Sequence, residues 1–136
     1  MSNVNNYRAN CSCGKVEVAM KGAPKVKGFC HCEDCRELLN VPYHSVNAWE
    51  QDRVAISKGD EFIREFKHPS LEMRKYYCSE CGDTIFNSNA MNWRVFSQLL
   101  IAKTYHGKLP KELHSESHFF YDSRVIDVDD NLPKHS

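Results

Sequence analysis

A chain of 136 residues that is 41% hydrophobic, 11% aromatic and 26% charged has the length of one domain and enough apolar material for a core, which excludes a disordered composition. Lys plus Arg (18) balance Asp plus Glu (18), giving a net charge of zero and a pI near 7.0. That balance disfavours nucleic acid and anionic membrane as partners, since both call for a clear basic excess.

Residues 1–10 are polar and lack the apolar segment of a signal peptide, and the longest apolar run, 99–102, is far too short to span a bilayer. A soluble, cytosolic protein with no membrane partner is therefore expected. In chain order, Val16, Val18 and Met20 alternate with polar residues as on a half-buried strand that stops at Gly22–Ala23–Pro24. Residues 35–40 make a short helix ending before Pro42. Val54 and Ile56 repeat the strand pattern, Lys58–Gly59–Asp60 makes a turn, and residues 62–66 read as the return strand of a hairpin. Residues 74–78 and 84–86 flank a cysteine pair as strands. The β-branched and aromatic content of 93–102, closed by a turn at His106–Gly107, reads as strand, and 119–121 and 125–128 read as short late strands. The fold class is mainly β, with at most one or two short helices.

Seven cysteines fall into three clusters: Cys11 and Cys13, then Cys30, Cys32 and Cys35, then Cys78 and Cys81. Clustered cysteines in a reducing compartment are metal ligands more often than disulfides, and an odd count fits that reading. Cys78-x-x-Cys81 is a turn that brings two sulfurs to one metal, and the following Gly82 allows the backbone to curl around them. Cys11-x-Cys13, followed by Gly14, puts two sulfurs on one face of an extended segment. Together the outer pairs supply the four thiolates of a structural zinc site. They lie far apart in the chain, so a shared metal makes 1–136 a single domain rather than two. The alternative is a set of unrelated buried thiols.

The middle triplet supplies three thiolates, one fewer than a closed zinc site requires. His31 lies between two of its cysteines, and in an extended segment its side chain faces the opposite way, so it reads as a hydrogen-bonding or packing residue. Asp34, His44 and His68 stay open as fourth ligands, beside water or a substrate sulfur. The competing reading is a second structural site closed by a distant His or Asp. Iron–sulfur ligation normally needs four cysteines per cluster. His114 and His118, four apart, are set aside because their segment looks extended.

The combined pattern C-x-C-G (Cys11 to Gly14), C-H-C-x-x-C-R (Cys30 to Arg36) and C-x-x-C-G (Cys78 to Gly82) resembles the glutathione-dependent formaldehyde-activating family. The likeness continues through Lys58–Gly59–Asp60 to Asp130–Asn131–Leu132–Pro133, nearly the whole chain. The resemblance implies an Mss4-like fold of small, curved antiparallel sheets stapled by zinc, and carbon–sulfur lyase-type activity. It implies two zinc ions per chain: a structural one on Cys11, Cys13, Cys78 and Cys81, and a catalytic one on Cys30, Cys32 and Cys35.

The expected function is a zinc-dependent lyase acting on a thiol adduct such as S-(hydroxymethyl)glutathione, with a small thiol as partner. Arg36 is a candidate to steer a substrate carboxylate, against a structural role as an ion pair or a donor to a sulfur. The rival reading from another class is a non-catalytic, zinc-stabilised binding module, because a fold does not by itself imply catalysis.

Overall fold

The computed structural model describes residues 6–136. Among them are ten strands, β1 (Asn6–Asn10), β2 (Glu17–Lys21), β3 (Val26–Cys30), β4 (His44–Trp49), β5 (Val54–Lys58), β6 (Ile63–Lys67), β7 (Arg74–Cys78), β8 (Thr84–Ser88), β9 (Arg94–Ser97) and β10 (Ser117–Phe119). Two α-helices, α1 (Glu33–Leu39) and α2 (Gln98–Thr104), interrupt them. The chain is thus mainly β. The strands form a three-stranded sheet, β1-β2-β5, and an open seven-stranded sheet, β10-β3-β4-β9-β8-β7-β6. Pairing is antiparallel throughout except for β10, which lies parallel to β3.

Alternation explains how the small sheet covers the large one. Tyr7 and Ala9 on β1 oppose Met20 and Val18 on β2, and all four are buried. They pack onto Trp49, Phe86, Phe96, Leu100, Ile101 and Leu113 in one core. At its centre the rings of Trp49 and Phe96 meet edge to face, centroids 5.6 Å apart. The Trp49 indole N–H donates to the Gly22 carbonyl at 2.8 Å, so the buried ring leaves no orphan donor.

Three sequence expectations are corrected. Residues 54–67 do not form a hairpin: β5 pairs with β2 in the small sheet, while β6 pairs with β7 in the large one. Gly59, in the left-handed region at φ 81°, and the 3-10 turn Asp60–Phe62 carry the chain from one sheet to the other. A Cβ at Gly59 would collide with the Lys15 carbonyl, so the residue is required by close approach as well as by φ. Residues 93–102 are only half strand. Ser97 Oγ accepts from the Leu99 N–H at 3.2 Å and caps α2, which buries Leu100 and Ile101 and exposes Leu99. Packing against β1 decides for helix there, against β-branched propensity. Residues 125–128 are not a strand; Val125 and Ile126 are exposed, and the Val128 N–H is held by the Tyr121 hydroxyl at 2.8 Å.

Candidate metal centres

The four outer cysteines meet where the two sheets meet. Cys11 and Cys13 lie in the β1–β2 connection, Cys78 ends β7, and Cys81 lies in the β7–β8 turn. The four sulfurs all lie within 4.8 Å of one another. Cys13 Sγ is 3.5 Å from Cys11 Sγ and 3.7 Å from Cys78 Sγ. Four sulfurs around a tetrahedral zinc, with Zn–S bonds of 2.3 Å, would stand about 3.8 Å apart, so the arrangement fits that ion.

Both turns are built alike. The Val16 N–H points at Cys11 Sγ and the Glu80 N–H at Cys78 Sγ, each at 3.4 Å. Gly14 and Gly82 close the turns with φ of 77° and 80°. A clasp sits beside the sulfurs. Ser12 donates its backbone N–H at 2.7 Å and its hydroxyl at 2.6 Å to Asp83 Oδ2, and Lys103 Nζ reaches the same oxygen at 3.3 Å. Partial burial raises the Asp83 pKa, but the Ser12 and Lys103 donors outweigh it and hold the carboxyl below the ordinary value.

The triplet occupies the β3–α1 junction. Cys30 ends β3, Cys32 is the N-cap of α1, and Cys35 lies in its first turn. The three sulfurs converge within 4.8 Å, with Cys35 Sγ 3.6 Å from Cys30 Sγ. Helix α1 starts two residues before the sequence reading places it, because Cys32 Sγ accepts from the Cys35 N–H at 3.2 Å and so does the work of a serine or aspartate cap. Hydrogen bonds from Cys30 and Cys35 pull the Cys32 thiol down to about 3, while the bond to Cys32 pushes Cys30 up to about 11. Three thiols this close share their protons unequally, and a divalent cation would displace those protons on binding. Leu38, Leu39, Leu71 and Met73 pack around these sulfurs and lower the local polarity.

Among the described residues no His, Asp or Glu joins the three sulfurs as a fourth ligand. His68 Nε2 lies 3.2 Å from Glu37 instead. His44 stands across the β3–β4 ladder from Cys30, buried, with Nδ1 unpartnered; burial lowers its pKa to about 4 and keeps the ring neutral. Arg36 is committed to the backbone, donating from Nε to the His31 carbonyl at 3.3 Å and from Nη2 to the Ser123 carbonyl at 3.0 Å. His31 turns away from the sulfurs into the interior, where its Nε2 lies 2.8 Å from His118 Nδ1. Burial first, then the electrostatic influence of the neighbouring His118, Arg124 and Arg36, lowers the His31 pKa.

Sequence reasoning set His118 aside and gave no role to Asp130, Ser12 or Asp83: Ser12 lies 71 positions from Asp83, and His118 lies 87 from His31. A cavity of about 420 Å³ lined by Glu65, Arg74, Tyr76 and Asn89 touches none of the cysteines. No helix among the described residues is long and apolar enough to cross a membrane.

Comparison with protein families matches residues 6–123 to the profile of the glutathione-dependent formaldehyde-activating enzyme. Among solved structures, a Rhodobacter sphaeroides protein determined as a structural-genomics target superposes with a TM-score of 0.51 at 14% identity. The match covers 76% of this chain and 97% of that one, and at this identity the likeness is one of fold. No curated protein sequence matches the chain.

Proposed function

The chain belongs to the glutathione-dependent formaldehyde-activating family, and from that premise we propose that it is a carbon–sulfur lyase-type zinc enzyme, a single domain working in the cytosol on the adduct of a small thiol and an aldehyde. S-(hydroxymethyl)glutathione is the substrate the family description suggests. The observation that carries this reading is the contrast between two sulfur clusters, one of four cysteines and one of three. Four thiolates close a zinc site; three leave a position for an exchangeable ligand.

In this reading Cys11, Cys13, Cys78 and Cys81 hold a structural zinc, and Cys30, Cys32 and Cys35 hold a catalytic one. Bound at the triplet, zinc supplies an electrophilic centre that favours the thiolate form of an incoming thiol. In the forward direction the substrate sulfur forms a bond to the aldehyde carbon, the carbonyl π pair moves to oxygen, and the proton lost by the thiol ends on that oxygen. The reverse reaction breaks the same carbon–sulfur bond. The residues of the chain contribute placement and dryness. Leu38, Leu71 and Met73 exclude water from one side of the sulfurs, and Arg36 ties the triplet loop to the tail at Ser123. With its guanidinium so engaged, Arg36 serves the site by holding it, in preference to steering a substrate carboxylate.

The second reading, a non-catalytic zinc-stabilised binding module, draws support from two surface cavities, one lined by Glu65, Arg74 and Tyr76 and one by Glu50, Met91 and Trp93, neither of which includes a cysteine. Exchange NMR separates the two. Zinc-loaded protein at catalytic concentration should accelerate exchange between free formaldehyde hydrate and S-(hydroxymethyl)glutathione, and Cys35→Ser should abolish the acceleration. Exchange at the buffer rate, with two zinc ions bound per chain, would leave only the binding module.

A further inference from the structure

The interior holds a polar chain that the proposed chemistry does not use. His118 on β10 and His31 beyond β3 are both fully buried. His118 Nδ1 lies 2.8 Å from His31 Nε2, and His118 Nε2 lies 2.8 Å from Asp130 Oδ2. Asp130 comes from the tail, where its other oxygen accepts from Lys134 Nζ at 2.6 Å. Hydrogen bonds from Lys134 and then His118 keep its carboxyl well below the usual range, so it is ionised.

The polarity of this chain follows from its end. A carboxylate can only accept, so the proton lies on His118 Nε2. When that is the one ring proton His118 carries, its Nδ1 is the acceptor and His31 donates from Nε2. His31 Nδ1 is left as a bare lone pair, buried and without a partner among the described residues.

We propose that Asp130 is a positioning residue for the three-cysteine site: acting through His118, it fixes the tautomer and orientation of His31 and thereby holds the Cys30–His31–Cys32 segment in the conformation that brings two of its sulfurs to Cys35. The proposal rests on the reading of that triplet as a metal site. Side chains alternate sides along an extended segment, so a ring locked at His31 fixes the direction of the side chains on both neighbours. The lock has several parts. The His31 N–H donates to the Phe119 carbonyl at 2.9 Å, and its carbonyl accepts from Arg36. Tyr43 stacks on the ring at 4.9 Å and Tyr121 meets it edge-on at 5.0 Å. Of these contacts only the relay distinguishes one ring nitrogen from the other. The tail that carries Asp130 is docked independently, through His118 N–H to the Pro133 carbonyl (2.8 Å) and His135 N–H to the His118 carbonyl (2.9 Å). Removing the carboxylate charge therefore leaves the tail in place.

The test uses the full chain, nitrogen-15 labelled, metal-free and zinc-loaded. Asp130→Asn keeps the shape but can donate as well as accept, so it no longer dictates the polarity. Lys134→Met keeps Asp130 and its bond to His118. In the wild type and in Lys134→Met, long-range proton–nitrogen spectra should show both rings protonated at Nε2. In Asp130→Asn, His31 should become a mixture of tautomers, and zinc affinity at the weaker site, measured against a chromophoric chelator, should fall roughly 10–100-fold while the four-cysteine site stays loaded. Wild-type ring signals with an affinity changed by less than about twofold would overturn the proposal, and so would a lowered melting temperature as the sole effect. If the wild-type chain takes up a single zinc, the function proposed above fails separately, and the ring nitrogens alone then decide the relay.

Discussion

Cys13 and Cys81 are both exposed, one in each of the turns that the four-cysteine site joins. Changing both to serine removes almost no buried packing, and two surface substitutions of this kind should together cost less than about 1 kcal/mol if the thiols are idle. If they hold a metal, the double variant leaves only Cys11 and Cys78 and opens a cross-link between segments 65 positions apart. Treating that link like a disulfide closing a loop of this length, the lost restriction of the unfolded chain is about 4 kcal/mol. This is a large share of the total stability of a domain of this size. It corresponds to a drop in melting temperature of roughly 15 °C. Thermal unfolding followed by circular dichroism measures it, on the zinc-loaded wild type, on the wild type with excess chelator, and on Cys13→Ser/Cys81→Ser. The second and third curves should both lie well below the first. A double variant melting within about 3 °C of the zinc-loaded wild type would refute the structural-metal assignment.

Cys32→Ser should lose about one zinc per chain while keeping near-native far-UV circular dichroism, because the triplet lies at a loop–helix junction outside the main core; global unfolding would make both sites structural. A saturating small thiol should shift the zinc X-ray absorption of the triplet from three sulfurs towards four, more strongly as pH rises towards the free thiol pKa of about 8.5; an unchanged spectrum would mean a site already closed by protein ligands. Asp83 has a depressed pKa, so its share of stability is present above the unfolded carboxyl value of about 4 and is lost as pH falls through the lower folded value. Asp83→Asn should flatten that acid limb of the melting curve, and an unaltered pH profile would show that the clasp to Ser12 contributes nothing. Ile101→Ala, at a fully buried position of α2, should cost about 2–5 kcal/mol by denaturant unfolding.

That the cysteines gather into two groups able to hold metal ions was legible in the order of residues because each cysteine cluster is local. Two or three sulfurs within six positions reach a common point through one turn, and a glycine after each outer pair marks where the backbone must curl. Alternation likewise revealed β2, where Val18 and Met20 face the core, and Pro42 marked the stop of the short helix at Cys35. Tertiary structure alone decided three things. The partners of β5 and β6 are long-range choices, and a strand pattern says which face is apolar without saying which sheet receives it. Residues 98–104 became helix because a serine cap and a place to bury Leu100 and Ile101 outweigh propensity. The relay from Asp130 to His31 joins residues 99 positions apart through a buried histidine that carries no sequence signature, since hydrogen-bond partners across a core are set by the packing of β10 beside β3. A metal-ligand motif reports how many sulfurs converge; only the folded chain determines what holds them there.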